Sequence, residues 1–278
     1  MKFLRNKLPK QSRNNIKSLL SHGQVQVDDR VVTQYNYGLQ KGQVVKVNWD
    51  LLREEKVESG LKIVYEDPQI IVIEKPPGLL SIASDKEKVN TAYHYLTDYV
   101  RQNHTAERIF IVHRLDRDTS GLMLFAKNER VKHQLQDAWK EMLIERAYLA
   151  VVQGQVKQES SMVKSWLKES KNMVMYSSSK MGDGKEAITH YRVLNSSSRY
   201  SLLEIRLETG RKNQIRVHMK DIGHIIVGDK KYGSTINPIA RLGLHAHVLA
   251  FQDPISRSLL RFETEIPAQF SRLFKSNR

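Results

Sequence analysis

Short apolar runs closed by glycine, proline or polar turns recur along most of the chain, and helical periodicity is confined to a few segments. Runs at 25–27, 31–32 and 44–47 predict three short strands, the first two joined by a turn at Asp28-Asp29-Arg30. Ahead of them, Ser12 is a candidate N-cap, Ile16, Leu19 and Leu20 share one helical face, and Gly23 can end the helix. Residues 50–60 are charged and end in glycine, as a linker would. Beyond them, 61–65 and 70–73 predict a hairpin around Glu66-Asp67-Pro68, and Pro76-Pro77-Gly78 a stiff turn. Strands follow at 108–112, 122–126 and 145–154, then at 161–166, 173–177, 186–194, 200–207 and 244–249. Residues 91–102 predict a helix with Ala92, Tyr95, Leu96 and Tyr99 on one face. A second helix is expected over 129–143, carrying Val131, Leu135, Ala138, Trp139 and Met142, and a terminal amphipathic one over 267–278.

This pattern predicts an α+β protein. A small helix-and-strand domain over 1–50 and a linker at 51–60 precede a larger domain over 61–278, built on an antiparallel or mixed sheet with flanking helices.

Charge changes the picture from architecture to partner. The chain has 278 residues, with 45 Lys and Arg against 30 Asp and Glu, a net +15. Such a surplus points to a polyanion, most simply nucleic acid, because neutralised phosphates release counterions. Residues 1–47 alone hold nine Lys and Arg against two Asp, a net +7. Arg5, Arg13 and Lys17 are candidate contacts there. No cysteine is present, which excludes disulfides and thiolate chemistry. The longest apolar runs are strand-sized, and the basic start Met1-Lys2-Phe3-Leu4-Arg5 lacks the apolar core of a signal peptide. A soluble, cytoplasmic protein is expected. No long apolar patch suggests an obligate dimer, so a monomer is expected.

The polar stretch with the most chemistry is His113-Arg114-Leu115-Asp116-Arg117-Asp118-Thr119-Ser120-Gly121, set between two apolar runs. A corner needs one or two polar residues and a glycine, and this loop has more. Composition alone is also consistent with an Asx-turn at Asp118 and an ion-paired Asp116. Gly182-Asp183-Gly184-Lys185 lacks the spacing of a phosphate loop and reads as a hairpin turn. His245 and His247 share a strand face, but no carboxylate or third histidine lies nearby in sequence, so no metal is expected there.

The string HRLDRDTSGL resembles the signature of pseudouridine synthases of the RluA/RluD type. Two further blocks support it. Glu74-Lys75-Pro76-Pro77-Gly78-Leu79 is similar to the family's first block, with Glu74 where asparagine is usual. Thr209-Gly210-Arg211-Lys212-Asn213-Gln214-Ile215-Arg216-Val217-His218, running on to Gly228-Asp229 and Tyr232-Gly233, resembles the third, with Asn213 where histidine is common. The basic unit at the start resembles the small RNA-binding domain named after ribosomal protein S-four. Together these resemblances imply isomerisation of uridine to pseudouridine in RNA, with no cofactor and no metal. They imply Asp116 as the catalytic carboxylate, Arg216 as its cationic partner and Tyr148 against the base. Arg114 is implied to hold the flipped nucleotide, with Arg211 and Lys212 as further RNA contacts. Large-subunit ribosomal RNA is the favoured substrate, with transfer RNA the alternative. Two rival classes remain open at this point. One is a non-catalytic RNA-binding or ribosome-assembly factor; the other is an N-glycosidase using Asp116 and Asp118, which would release free uracil.

Overall fold

The structure is a computed structural model that describes residues 2–9, 16, 19, 20, 24–47, 61–101, 107–137 and 142–274. Ser12, Arg13, Lys17, Gly23, the linker 51–60, Gln102, Ala138, Trp139 and the last four residues therefore lie outside the described residues. The chain divides into two compact units, Met1–Glu58 and Ser59–Arg278.

The first unit opens with a short helix, α1 (Lys2–Lys7), which the apolar pattern does not foreshadow because, among its described side chains, Leu4 alone is buried. Leu4, Ile16, Leu19, Leu20 and Val25 form a small core. Against it lie β1 (Val25–Val27), β2 (Arg30–Val31) and β3 (Val45–Val47), antiparallel in the order β2-β1-β3. Asp28 and Asp29 take φ of 49° and 65°, the left-handed pair that a two-residue hairpin turn requires and that aspartate tolerates. Asp28 also accepts a hydrogen bond from the Val44 amide at 2.9 Å, fastening β3 to the turn.

The second unit is one large mixed sheet. Its strands are β4 (Lys62–Glu66), β5 (Ile70–Lys75), β6 (Phe110–Ile111), β7 (Ser120–Ala126), β8 (Leu143–Gln153), β9 (Ser160–Glu169), β10 (Met175–Ser178), β11 (Lys185–Ser196), β12 (Tyr200–Leu207), β13 (Leu244–Gln252) and β14 (Leu259–Glu263). They run in the order β10-β9-β11-β12-β8-β13-β7-β5-β4, with β14 added on β13 and β6 on β7. Every pairing is antiparallel except β13 with β7. β5 and β7 read as unbroken apolar runs because both of their faces are covered. Ile71, Ile73, Met123 and Phe125 join one core with Leu96 and Val100 of α2 (Ala92–Arg101). Ile70, Val72, Leu122 and Leu124 join another with Val131 and Leu135 of α3 (Glu129–Asp137). Among the described residues, no helix is long and apolar enough to cross a membrane.

Three local expectations are corrected. α2 buries Ala92, Leu96 and Val100, whereas Tyr99 is exposed and donates its hydroxyl to Glu66 at 2.9 Å. Leu143 opens β8 rather than closing the second helix, since its backbone pairs with Phe251. The Gly182-Asp183-Gly184 segment is no hairpin turn: β10 and β11 flank β9 on opposite sides, so the chain crosses the end of β9 between them. A Cβ on Gly184 would sit 2.7 Å from the Leu167 carbonyl oxygen, so the crossing needs glycine.

The parallel contact of β7 with β13 sets the position of everything that follows. Gly121, at φ +111°, faces Ala246 so closely that a Cβ would lie 2.1 Å from that residue's carbonyl oxygen. Only glycine meets both requirements.

Candidate active site

The loop at 113–119 leaves β6 and enters β7, and it is fixed from several sides. His113 Nε2 accepts from the Leu124 amide at 3.1 Å. That makes the ring neutral, in keeping with burial and the nearby Arg146 charge, which push its pKa down to about 3. Ser81 Oγ donates to the Leu115 carbonyl at 2.7 Å and accepts from the Leu115 amide at 3.1 Å. The Gly78 amide donates to the Arg117 carbonyl at 2.9 Å. Lys75, fully buried, spreads its ammonium over the carbonyls of Pro76 (2.9 Å), Leu79 (2.7 Å) and Arg117 (3.0 Å). The stiff proline turn and the polar loop are thereby joined by one lysine. Burial pushes the pKa of that lysine down to about 7.

Asp116 projects from this loop toward α4 (Gln214–Asp221). Its Oδ2 accepts from Arg216 Nη1 at 3.2 Å, and its side chain keeps a third of its surface exposed. The other edge of the guanidinium is held more firmly. Arg216 Nε and Nη2 each donate to Asp229 at 2.7 Å, a two-pronged pair in which Asp229 is 1% exposed. Burial alone would lower the Arg216 pKa, but the bonds and charges of Asp229 and Asp116 raise it, so the cation is permanent. Tyr232 completes the seat, its ring 5.0 Å beneath the guanidinium.

Asn213 has a physical reason to stand at the head of this helix. Its φ is 55°, a left-handed position that asparagine accepts. Its side chain also donates to the Tyr232 hydroxyl at 3.0 Å and accepts from Arg216 Nη1 at 3.3 Å. Gln214 ties the same segment to β11 through the Ile188 carbonyl and Thr189 hydroxyl, each at 2.9 Å.

Asp116 and Arg216 form part of the wall of a cavity of about 510 Å³. Tyr148 of β8, with Leu207, Ile215 and Leu244, supplies its apolar surface, and Arg114 and Arg211 line it as well. Tyr148 is buried and its hydroxyl stays protonated, because burial raises its pKa. The result is a cavity with an apolar wall beside one carboxylate and one fixed cation. An anionic carboxylate there can attack or take a proton, while the arginine offsets charge that develops.

The expected residues are distributed as follows. Asp116, Tyr148, Arg216, Arg114, Arg211 and Lys212 all line this cavity. Arg114 is exposed, Arg211 Nε is occupied by the Glu186 carbonyl at 2.9 Å, and Lys212 is ion-paired with Glu169. Arg5 is exposed on α1 of the first unit. Asp118 pairs with its neighbour Arg117 at 3.0 Å. His245 and His247 sit in a hydrogen-bonded run through Thr264, and no metal-holding cluster occurs among the described residues. Sequence alone does not single out Asp229 or Lys75, although each lies inside a quoted motif block.

Comparison with known proteins identifies the family of the chain. Residues 69–221 match the RNA pseudouridylate synthase family, and residues 1–45 match the S4 domain. An uncharacterized RNA pseudouridine synthase of Synechocystis sp. is 36% identical, covering 98% of this chain and 86% of its own. Ribosomal large subunit pseudouridine synthase D of Vibrio cholerae is 33% identical, covering 92% of this chain and 84% of its own. Among solved structures, human RNA Pseudouridylate Synthase Domain Containing 4 superposes with a TM-score of 0.62 at 23% identity, over 76% of this chain and 90% of its own, which bears on the fold alone. With the family matched over more than half its length, the chain belongs to the RNA pseudouridine synthases, isomerases of uridine in RNA, and carries an S4 RNA-binding domain ahead of the catalytic unit.

Proposed function

We propose that Asp116 is the catalytic carboxylate and that the target uracil enters the cavity bounded by Tyr148. The observation that carries this reading is the Asp116–Arg216–Asp229 chain, in which a buried acid fixes the arginine that holds a partly exposed one. In the reaction the base leaves its sugar as an anion, turns and rejoins through a ring carbon. Asp116 attacks or deprotonates to start this and assists the return of the proton. Arg216 holds Asp116 at the cavity edge through the 3.2 Å contact and offsets charge on the departing base. Tyr148 presents its ring to the uracil face. A base in a helix must be flipped to arrive there, at a cost of a few kcal/mol, and Arg114 at the cavity wall fills the vacated place.

The substrate we infer is large-subunit ribosomal RNA. Relatives named for the ribosomal large subunit cover nearly the whole chain, and the basic S4 domain suits large structured RNA. Asp116, Tyr148 and Arg216 line one cavity within a single chain, so the proposed chemistry needs no residue from a second copy. The test is pseudouridine mapping by carbodiimide adduct and primer extension, on ribosomal and transfer RNA. Cells lacking the gene would carry either the wild-type copy or Asp116→Asn. A stop in large-subunit RNA seen only with the wild-type copy is expected. A stop confined to transfer RNA would overturn the substrate, and a stop with both copies would overturn the role of Asp116.

A further inference from the structure

Asp116, Lys212, Asn213 and Arg216 also line a second crevice, of about 750 Å³, which Tyr148 and Arg114 do not border. Its floor and walls come from the Pro77-Gly78 turn, the 116–118 loop, the 228–231 segment and the 240–242 turn. Several of its charges are neutralised in place. Arg216 is taken by Asp229, Arg117 by Asp118, and Lys212 by Glu169. Lys230, Lys231 and Arg241 also line the crevice and form no ion pair among the described residues.

Arg241 is the unusual member. It is a partly buried arginine with no carboxylate partner among the described residues, yet it is rigidly aimed. Nη2 donates to Ser120 Oγ at 2.5 Å and to the Leu244 carbonyl at 3.2 Å, and Nε donates to the Leu242 carbonyl at 3.1 Å. The guanidinium stacks 5.4 Å from the Phe270 ring. Ser120 Oγ is also hydrogen-bonded to His245 Nδ1 at 2.7 Å, and His245 Nε2 to Thr264 Oγ1 at 2.7 Å. Burial with the adjacent Arg241 charge lowers the His245 pKa to about 3, so this ring supplies no counter-charge and no second cation. The preceding residue, Ala240, holds a left-handed φ of 56°, which is strained for alanine. Gly228 packs so tightly below that a Cβ would meet the Arg241 carbonyl oxygen at 2.2 Å. A fixed cation without a counter-ion, presented by a strained turn, is a pre-formed seat for an anion. Burial lowers the Arg241 pKa to about 10, as expected for a charge that nothing yet offsets.

Arg241 also borders a neighbouring crevice, but there Glu74, Glu263 and Glu265 balance Lys62, Lys75 and Arg241, which leaves no positive excess for an anion. The crevice beside Asp116 has six Lys and Arg against Asp116, Asp118 and Asp229. We infer that Arg241, with Lys230 and Lys231 in the same crevice, binds a backbone phosphate of the RNA strand beside the target nucleotide. The site rests on the reading that the uridine enters beside Asp116. It would hold the strand while the base turns.

The test is binding of a fluorescent oligouridylate to the full chain, followed by anisotropy across a series of KCl concentrations, with melting curves recorded for every variant. Losing one phosphate contact on a single strand lowers the slope of log K against log salt by about 0.7. Arg241→Gln is expected to show that drop. Lys230→Gln, exposed and expected to fold normally, is expected to show it too. Arg130→Gln on α3, which lines neither crevice, is expected to keep the wild-type slope. Unchanged slopes for Arg241→Gln and Lys230→Gln would overturn the site, and should Arg241→Gln fail to fold, Lys230→Gln decides alone. No turnover enters this readout, so a failed assignment of Asp116 would show in the mapping experiment and not here.

Discussion

Replacing Asp229 by asparagine removes one charge and leaves the shape of the site almost untouched. In the wild type, two 2.7 Å bonds from Arg216 end on Asp229, and the two side chains are 10% and 1% exposed. The substituted side chain could accept one of those bonds, but its amide nitrogen would face the other donor with a donor of its own. Breaking a buried pair by removing one partner costs about 3–5 kcal/mol, and the retained acceptor sets the lower end. For a catalytic unit of this size, about 3 kcal/mol corresponds to roughly 6–12 °C in melting temperature. The guanidinium would then turn toward Asp116, its remaining carboxylate, and the acid would be misplaced. A displacement on the order of 1 Å can cost about a hundredfold in rate. Tritium release from uridine-5-³H-labelled RNA measures that rate, and differential scanning fluorimetry measures the melting. Arg216→Gln strands Asp229 in the same way, so the double variant Arg216→Gln/Asp229→Asn is expected to melt above either single one. An Asp229→Asn protein that melts and turns over like the wild type would refute the argument.

Further outcomes follow from the same geometry. Gly121→Ala forces a Cβ to 2.1 Å from the Ala246 oxygen and is expected to yield no soluble folded protein. Gly182→Ala, with open space around it and only its φ of +78° to strain it, is expected to cost about 1–2 kcal/mol by denaturant titration. Lys75→Met leaves three carbonyls without their donor and is expected to lower both stability and turnover. The folded pKa of Lys75, about 7, lies below its unfolded value, so between pH 7 and 10 the unfolded chain binds more protons and this lysine makes stability rise with pH. Denaturation midpoints of the wild type against Lys75→Met across that window are therefore expected to diverge in the direction of a rising wild type, and a parallel pair of curves would contradict the assignment. Deleting residues 1–58 is expected to weaken RNA binding and flatten its salt dependence, as read by anisotropy, because phosphate contacts of the basic S4 unit are lost.

What sequence reveals here divides by distance along the chain. The Asp28-Asp29 turn, the hairpin at Asp67 and the fully apolar β5 and β7 are local patterns, and local periodicity is enough to read them. Asp116 and Arg216 can be marked because long motif strings carry them, and Tyr148 because the family resemblance implies it. The acid that seats Arg216 cannot be weighed in that way. Asp229 lies 13 residues beyond Arg216, past a helix end and a turn, and nothing in either segment signals that they meet. Lys75 ends an apolar strand, where a lysine reads as an interruption, and one of its three carbonyl partners, Arg117, lies 42 residues away. The 179–184 segment misleads because a glycine-rich turn looks the same whether it joins adjacent strands or crosses a third; only the order β10-β9-β11 distinguishes them. The face of α2 shifts by one residue for a similar reason. Tyr99 is apolar enough to pass for core, but its hydroxyl finds Glu66 at the surface.

Asp116 is the residue proposed to do the chemistry. The most direct measurement is single-turnover tritium release from uridine-5-³H-labelled ribosomal RNA by purified Asp116→Asn, with RNA binding measured on the same preparation. The account requires wild-type folding, retained RNA binding and no tritium release. Release at a measurable rate from a clean Asp116→Asn preparation would contradict it.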